Sequence, residues 1–504
     1  MDGQLMMGQG TTALTEVTPE KKEGGGKKRE FTTKEAVLSV LCFIVSFGFT
    51  HFAVRYIGGI WGGIVWLLIG VLGAVYVRTK GIAVTRAQCM VFCVAELFCL
   101  VPLFCTNGLI NTLAATFTFF LLAYLGVTLG GAELFGEHFI PDLLEGICVR
   151  PFIRFEEGPA AAKKLLKNPK SGKTVLYVLL GLLCSLPLSI LVLYLLMWSD
   201  TMFADRMEAI FDMLPSFEFR YVWELILAVP VWIYLFGGFA AMQHKQTEPL
   251  FDMKKGRVLP SILGYTMVTP ICVFYVMYIA VQFNYFTAAF GGILPEEYSY
   301  AAYARKGFFE LCTVAVINLC VIAAMHLLLK RKEDGTPSVA MKVYCTLLSG
   351  FTILLIVSAL SKMVLYIKEM GMTPLRIYTS WFMIVLVVFF VLVIVTQFTK
   401  LKFCRAAFAG FALLFAVLCF INVDGMIAKY NVKAYQTGKL DKVDFGVLED
   451  LEDAALVHVE RLTEGKDRVV AEEAKACYER MLTKSNRKND VAYFSIPRAI
   501  GRRK

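Results

Sequence analysis

Long apolar runs alternate with short polar segments along most of the chain. A membrane-spanning helix needs about 20 consecutive apolar residues, and this length also separates such a helix from a buried strand. Runs of this kind lie near positions 36–54, 60–77, 87–105, 109–129, 174–198, 221–243, 260–282, 307–329, 343–367, 377–397 and 406–421. The pattern therefore predicts an all-α fold, a polytopic helical integral membrane protein with about 11 transmembrane helices.

Polar segments at both ends divide the chain into three predicted parts. Residues 1–35 are polar and include three consecutive glycines, which predicts a disordered cytoplasmic tail. Residues 36–423 form the predicted transmembrane helical domain. Residues 424–504 carry apolar positions at helical spacing among many charges, which predicts a small soluble helical C-terminal domain.

Composition supports a membrane protein. Hydrophobic residues make up 57% of the chain and charged residues 18%, which excludes an ordinary soluble protein of this length. The net charge of +10 would suggest nucleic-acid binding in a soluble domain, but loop lysines and arginines of a membrane protein face anionic lipid head groups. We therefore expect the lipid bilayer as a partner and no nucleic acid. A small molecule, a lipid or an envelope component is the further partner that this class suggests.

The basic loops indicate how the chain is oriented. Basic loops at 78–86, 150–173, 244–257, 330–342 and 399–405 alternate with loops near 106, 199–220, 283–305 and 368–376. Two of the latter are rich in Asp or Glu, and the loop near 106 lacks charge. Cytoplasmic loops carry the excess of lysine and arginine, which predicts a multi-pass plasma-membrane protein with a cytoplasmic N-terminus. An odd number of spans then places the C-terminus outside. The terminal residues Arg502, Arg503 and Lys504 argue for the cytoplasm, so the side of the C-terminal domain depends on the span count.

The residue types that carry metal and catalytic chemistry are scattered. The 14 cysteines lie mostly inside apolar runs without a CxxC pair, and the five histidines are far apart, so we expect no metal site and no cofactor. Ser358 and Lys362 lie one helical turn apart, as in a Ser–Lys nucleophile, but no other feature supports a protease. No catalytic residue is assigned, and a non-enzymatic protein is favoured over an enzyme.

Ionisable residues inside the spans are the best candidates for a functional site, because charges are costly in lipid. Glu310 and Lys362 each lie about one helical turn inside a predicted span. Glu224 lies near the start of another span, and Arg376 follows the turn at 369–374. The predicted topology places all four near the external surface, as an outward-facing polar pocket. A Glu310–Lys362 pair that only fixes helix packing explains two of these residues equally well.

Glu96 differs from the pocket residues because it lies near the middle of the third predicted span. A carboxyl at this depth is either a protonated, hydrogen-bonded structural group or a proton relay of the kind that coupled transporters use. The sequence leaves both interpretations open. Prolines at 187, 230 and 270 predict kinks in three spans, a feature that transporters share with ordinary membrane proteins.

Three stretches in the second half of the chain resemble one known family. They are PEEYSYA at 295–301 with YARKGFFEL at 303–311; SAL at 358–360 with LYI at 365–367, Gly371, Thr373, Leu375, Arg376 and Tyr378; and Asn422, Asp424, Ile427, Ala428, Tyr430 and Asn431 with GKLD at 438–441. In order and spacing they resemble a bacterial membrane family catalogued as a domain of unknown function, the 4173/4153 group. The sequence departs from that pattern at Lys362, where arginine is expected. The resemblance implies a bacterial multi-span membrane protein whose outward turns and post-span segment form one surface, and it implies no known activity.

Two functional hypotheses follow from these features. The first is transport or lipid and envelope-component handling through the polar pocket, which rests on the number of spans, the kinked helices and the buried charges. The alternative is a non-enzymatic membrane sensor or scaffold that binds a partner through residues 424–504. A loss of flux on changing Glu310 or Lys362 would favour the first hypothesis, and loss of a partner on deleting the C-terminal domain would favour the second.

Overall fold

A computed structural model describes residues 31–53, 59–136, 138–164, 191–200, 202–207, 219–243, 256–290, 308–332, 336–465 and 467–487, with a few positions between 181 and 189 and between 494 and 499. The described residues are mainly α-helical, and the β contact among them is an isolated bridge between Leu259 and Leu329. The all-α fold predicted from the apolar runs is therefore confirmed.

Ten helices within the described residues are long and apolar enough to cross a membrane. They are Thr33–Ala53, Ile60–Lys80, Arg86–Phe104, Gly108–Leu129, Arg220–Ala241, Ser261–Val281, Glu310–Leu328, Val339–Met370, Pro374–Phe398 and Phe403–Phe420. They coincide with ten of the predicted spans, which confirms a polytopic membrane protein. The remaining predicted span, near 174–198, lies mostly outside the described residues, as does the predicted loop at 283–305.

The first half of the described chain folds into one helical group. Polar caps start its helices, with capping boxes formed by Thr32 and Glu35 and by Thr85 and Gln88. Glu35 also pairs with Lys80, which joins the first helix to the second. The helices are α1 (Thr33–Gly48), which continues as a π-helical turn (Phe49–Ala53), α2 (Ile60–Lys80), α3 (Arg86–Phe98), α4 (Val101–Phe104), α5 (Gly108–Leu129), α6 (Phe139–Cys148), α7 (Arg150–Ile153), α8 (Glu157–Ala162) and α9 (Phe219–Ala241).

A second helical group follows, formed by α10 (Ser261–Phe290), α11 (Phe308–Leu328), α12 (Val339–Met370), α13 (Pro374–Phe398) and α14 (Phe403–Phe420). Helix α12 packs against α10, α11 and α13. Inside their apolar core, Tyr275 donates to the Asn318 side chain at 2.8 Å, and Asn318 donates to Thr352 at 2.9 Å. Helix α14 contacts α13, α4 and α5, and so connects the second group to the first.

The residues after the last span form a compact helical unit. Its helices are α15 (Val423–Gln436), α16 (Phe445–Asp450), α17 (Leu456–Thr463) and α18 (Arg468–Arg487), which together we name the C-terminal unit. Ile427, Leu448 and Cys477 lie in its apolar core. Met372 and Ile377, from the α12–α13 turn and from α13, pack against the same core, so the unit is docked on the membrane helices.

Candidate functional site

The packing of α11 against α12 brings together two residues of the predicted pocket. The Lys362 side chain is buried, with 8% of its surface exposed, although it lies in a membrane-spanning helix. Glu310, which is exposed near the start of α11, lies within range of electrostatic interaction with Lys362. Because a buried cation is costly unless a counter-charge is near, Glu310 offsets part of the cost of burying Lys362.

Arg376, the third predicted pocket residue, closes the turn between α12 and α13. Its guanidinium donates to the backbone carbonyls of Met370, at 3.0 Å, and of Gly371. It also lies 4.1 Å from the centre of the Tyr366 ring, as the flat, delocalised cation of arginine favours. Gly371 has a backbone φ of 76°, a value that residues other than glycine rarely adopt. Arg376 therefore fixes the shape of the turn.

Asn431 of α15 binds the same turn. Its side chain accepts a hydrogen bond from the Met372 N–H at 2.7 Å and donates one to the Met372 carbonyl at 2.8 Å. Asn431 is buried, with 8% exposure, so both bonds are partly shielded from water. We name this contact the junction, defined as Asn431 with the turn Gly371–Thr373. The junction attaches the C-terminal unit directly to the α12–α13 turn.

Asp424 is a second buried polar residue close to this end of the spans. Burial raises the pKa of its carboxyl to about 6, with a smaller upward contribution from Glu452. The Asn107 side chain, just before α5, and the Tyr378 hydroxyl of α13 face the carboxylate and lower its pKa in part. The thiol of Cys105 also lies within electrostatic range. Asp424 therefore connects the start of the C-terminal unit to helices of both groups.

Glu224, the fourth predicted pocket residue, lies in the first helical group. Its carboxylate contacts the His51 ring nitrogen Nδ1 at 2.7 Å and the Arg220 Nε at 3.3 Å. The Glu224 side chain is buried, so the Arg220 guanidinium offsets its charge and the His51 ring gives it a further polar contact. The structure thus places Glu310 within electrostatic range of Lys362, places Arg376 on the adjoining turn, and gives Glu224 a separate set of partners.

Glu96 lies on α3 and faces α2. Its carboxylate rests against Gly70, where a Cβ atom would stand 1.6 Å from the carboxylate oxygen Oε1. Both carboxylate oxygens are buried and form no hydrogen bond with a described residue. A buried carboxyl without a hydrogen-bond partner is expensive, so the glycine at position 70 provides room for a side chain that packing alone would not favour.

A large cavity lies between α2, α3, α5 and α9, with a volume of about 1140 Å³. None of the predicted site residues lines it. Its wall includes a series of small residues on α2, namely Gly62, Gly63, Gly70 and Gly73. Small residues at helical spacing indicate close approach of neighbouring helices, and Gly63 and Gly70 are indeed closely approached by Cys99 and Glu96, so the glycine series gave no direct signal for the cavity. The junction was also missed, because a side chain that binds backbone leaves no pairing pattern in the sequence.

These features define a polytopic all-α membrane protein with a helical unit docked at one end of its spans. The model of one family, described as a domain of unknown function (DUF4153), matches residues 92–462. The match covers well over half of the chain, so the protein belongs to the DUF4153 family, and the resemblance seen in the sequence is confirmed. The matched region contains Lys362, the junction and the cavity walls formed by α5 and α9, but excludes α1 and α2. No curated protein and no solved structure matches the chain.

Proposed function

We propose that the protein handles an amphipathic lipid or envelope component, by transport or by transfer within the membrane. Glu310, Lys362 and Arg376 would form the site for the polar head group. The observation that carries this proposal is the buried cation of Lys362, which lies in a membrane span beside a carboxylate. A buried cation in a membrane span is costly, so packing alone is a poor reason for it.

The chemistry of this site favours an anionic head group. A phosphate or carboxylate that approaches Lys362 would replace Glu310 as its counter-charge, and Glu310 is exposed and so able to turn away. The rigid turn held by Arg376 would keep the end of α12 in place during this exchange. Glu224 stays a candidate residue of the pocket because of the depth predicted for it in the membrane. Its partners are His51 and Arg220. The plasma membrane, with this end of the spans outside, is the proposed location.

The test is leaflet redistribution of fluorescently labelled phospholipids in proteoliposomes that contain the purified full chain. Lys362→Met removes the buried charge and keeps an apolar side chain of similar length. Lys368→Ala is the matched control, because Lys368 is an exposed lysine on the same helix. Loss of one charge-assisted hydrogen bond is worth about 1.5–3 kcal/mol, so we expect redistribution to slow by roughly ten- to a hundredfold in Lys362→Met only.

Two results would contradict this proposal. The first is an equal rate in Lys362→Met, in Lys368→Ala and in the unchanged protein. The second is the absence of any redistribution by the unchanged protein, with anionic and zwitterionic labels alike. A Glu310→Gln variant adds a check, because it should bind an anionic head group at least as tightly while exchanging it more slowly.

For Glu96, the proposal is a proton relay that serves the same activity. Its support is the position of the carboxylate, which is buried in a span without a hydrogen-bond partner among the described residues. Glu96→Gln keeps the size of the side chain and removes the titrating group. This variant should fold normally and lose any dependence of the activity on a proton gradient. Retained gradient dependence in Glu96→Gln would identify Glu96 as a structural residue.

The docked C-terminal unit favours a second candidate function, that of a sensor or scaffold. The junction links this unit to the α12–α13 turn by two hydrogen bonds. Binding of a partner to the unit would therefore change the conformation at the end of α12. Deletion of 424–504 should then remove a co-purifying partner from the full-length protein. If the same proteins co-purify with and without this segment, the scaffold function is wrong.

A further inference from the structure

The cavity extends along almost the whole of α2. Its lining residues on that helix run from Gly62 to Arg78, a distance of about 24 Å at 1.5 Å per residue. The hydrocarbon core of a bilayer is about 30 Å thick. The volume of about 1140 Å³ exceeds the range of about 300–1,000 Å³ that is usual for small-molecule pockets. An occupant that fills this space is therefore long, and it lies along the membrane normal.

Three of the polar side chains that line the cavity are already bound to backbone carbonyls of the protein. Thr112 donates to the Gly108 carbonyl at 2.7 Å, and Thr116 donates to the Thr112 carbonyl at 2.8 Å. The Tyr234 hydroxyl donates to the Ile147 carbonyl at 2.9 Å. These side chains present mainly their carbon atoms to the cavity, so its middle suits hydrocarbon and offers little to a polar molecule.

Among the described residues that line the cavity, the charged ones lie at one end. Arg150 lines this end, but its Nε is 2.9 Å from Glu145 and its charge is balanced. Arg78, near the end of α2, also lines the cavity and is exposed. No described acidic residue forms an ion pair with Arg78. A cation above a long apolar channel matches a molecule with an anionic head and hydrocarbon chains.

We infer that this cavity is a binding site for an anionic phospholipid, with its acyl chains along α2 and its phosphate at Arg78. This site is separate from the Lys362 site, on other helices and with other residues. It does not depend on the proposed function, because a lipid held here can be a permanent part of the folded protein or a molecule in transit.

The test uses Trp66, which lines the cavity on α2. Phosphatidylglycerol with brominated acyl chains quenches nearby tryptophans, and brominated phosphatidylcholine is the zwitterionic comparison. The full chain is titrated with each lipid in detergent micelles at low lipid fraction. The Trp66 contribution is the difference between the unchanged protein and Trp66→Phe. Arg78→Ala removes the proposed phosphate partner, and Arg86→Ala is the matched control, an exposed arginine at the start of α3 that does not line the cavity.

We expect saturable quenching of Trp66 by phosphatidylglycerol at lower concentration than by phosphatidylcholine. The apparent affinity should fall about tenfold or more in Arg78→Ala, the effect of losing one charge-assisted bond, and should not change in Arg86→Ala. Ala115→Phe, which places a ring in the cavity, should abolish saturable quenching. Equal quenching by both lipids in all arginine variants would mean ordinary annular lipid and would overturn the inference. Unquenched Trp66, or saturable quenching that survives Ala115→Phe, would overturn it as well.

Discussion

Replacement of Asn431 by alanine is the sharpest test of how the C-terminal unit is attached. Asn431 binds both backbone polar groups of Met372, at 2.7 and 2.8 Å. Alanine removes both hydrogen bonds and puts nothing in their place. Each bond contributes about 1 kcal/mol net, and a buried polar group left without a partner adds to this loss. We therefore expect the junction to weaken by about 2–3 kcal/mol, or roughly 30- to 150-fold in the equilibrium between docked and released unit.

Hydrogen–deuterium exchange of the full chain in nanodiscs measures this change. The Met372 amide reports it directly, because its hydrogen bond goes to Asn431. Exchange of the peptide that contains the turn should accelerate by a similar factor in Asn431→Ala, as local opening becomes easier. Lys429→Ala is the control, because Lys429 is exposed on the same helix and should change stability by less than about 0.5 kcal/mol.

The result that would refute this reasoning is equal exchange of the turn in Asn431→Ala and Lys429→Ala. Docking would then rest on the apolar contacts of Met372 and Ile377 with the C-terminal unit. Faster exchange throughout the membrane helices would also count against it, because the effect would be general unfolding and not release at the junction.

Three further predictions concern other parts of the molecule. In the folded protein the pKa of Asp424 is about 6, above the ordinary value of about 4. The free energy of unfolding should therefore fall by on the order of 3 kcal/mol as pH rises from 4 to 7, and Asp424→Asn should show no such fall. Gly63→Ala should lower the melting temperature by the equivalent of about 1–3 kcal/mol, since its Cβ would stand 2.3 Å from the Cys99 carbonyl oxygen, whereas Gly350→Ala, with open space beside it, should not. A cysteine introduced at the exposed Lys475 should react with a membrane-impermeant thiol reagent in intact cells if the C-terminal unit is external, and protection until lysis would reverse the proposed orientation.

The membrane helices were predictable from sequence because their signal is local. Run length and hydropathy alone decide whether a segment can cross a bilayer, so the ten described spans agree with the predicted ones. Boundaries were less accurate, since α12 extends several residues beyond the predicted run at 343–367. Apolar composition falls off gradually there, while the helix continues to its cap at Gly371.

Contacts between helices were only partly predictable. Depth in the membrane suggested that Glu310 could meet Lys362, but it gave Glu224 no particular partner. Which of these residues meet depends on how helices pack side by side, and apolar runs carry no information about that choice. The junction and the cavity are products of this packing, because Asn431 binds backbone and the cavity is space between four helices.

The length of α12 has a consequence for how the protein responds to its bilayer. This helix has 32 residues and is about 48 Å long, whereas the hydrocarbon core is about 30 Å thick. Even a tilt of 40°, the upper end of the usual range, leaves several ångströms outside the core. Lys362 lies eight residues before the end of α12, about 12 Å along the axis, and is therefore close to the hydrocarbon boundary. A thicker membrane would draw this lysine and the docked unit toward the acyl chains, so membrane thickness itself becomes a variable that sets the hydration of the buried cation.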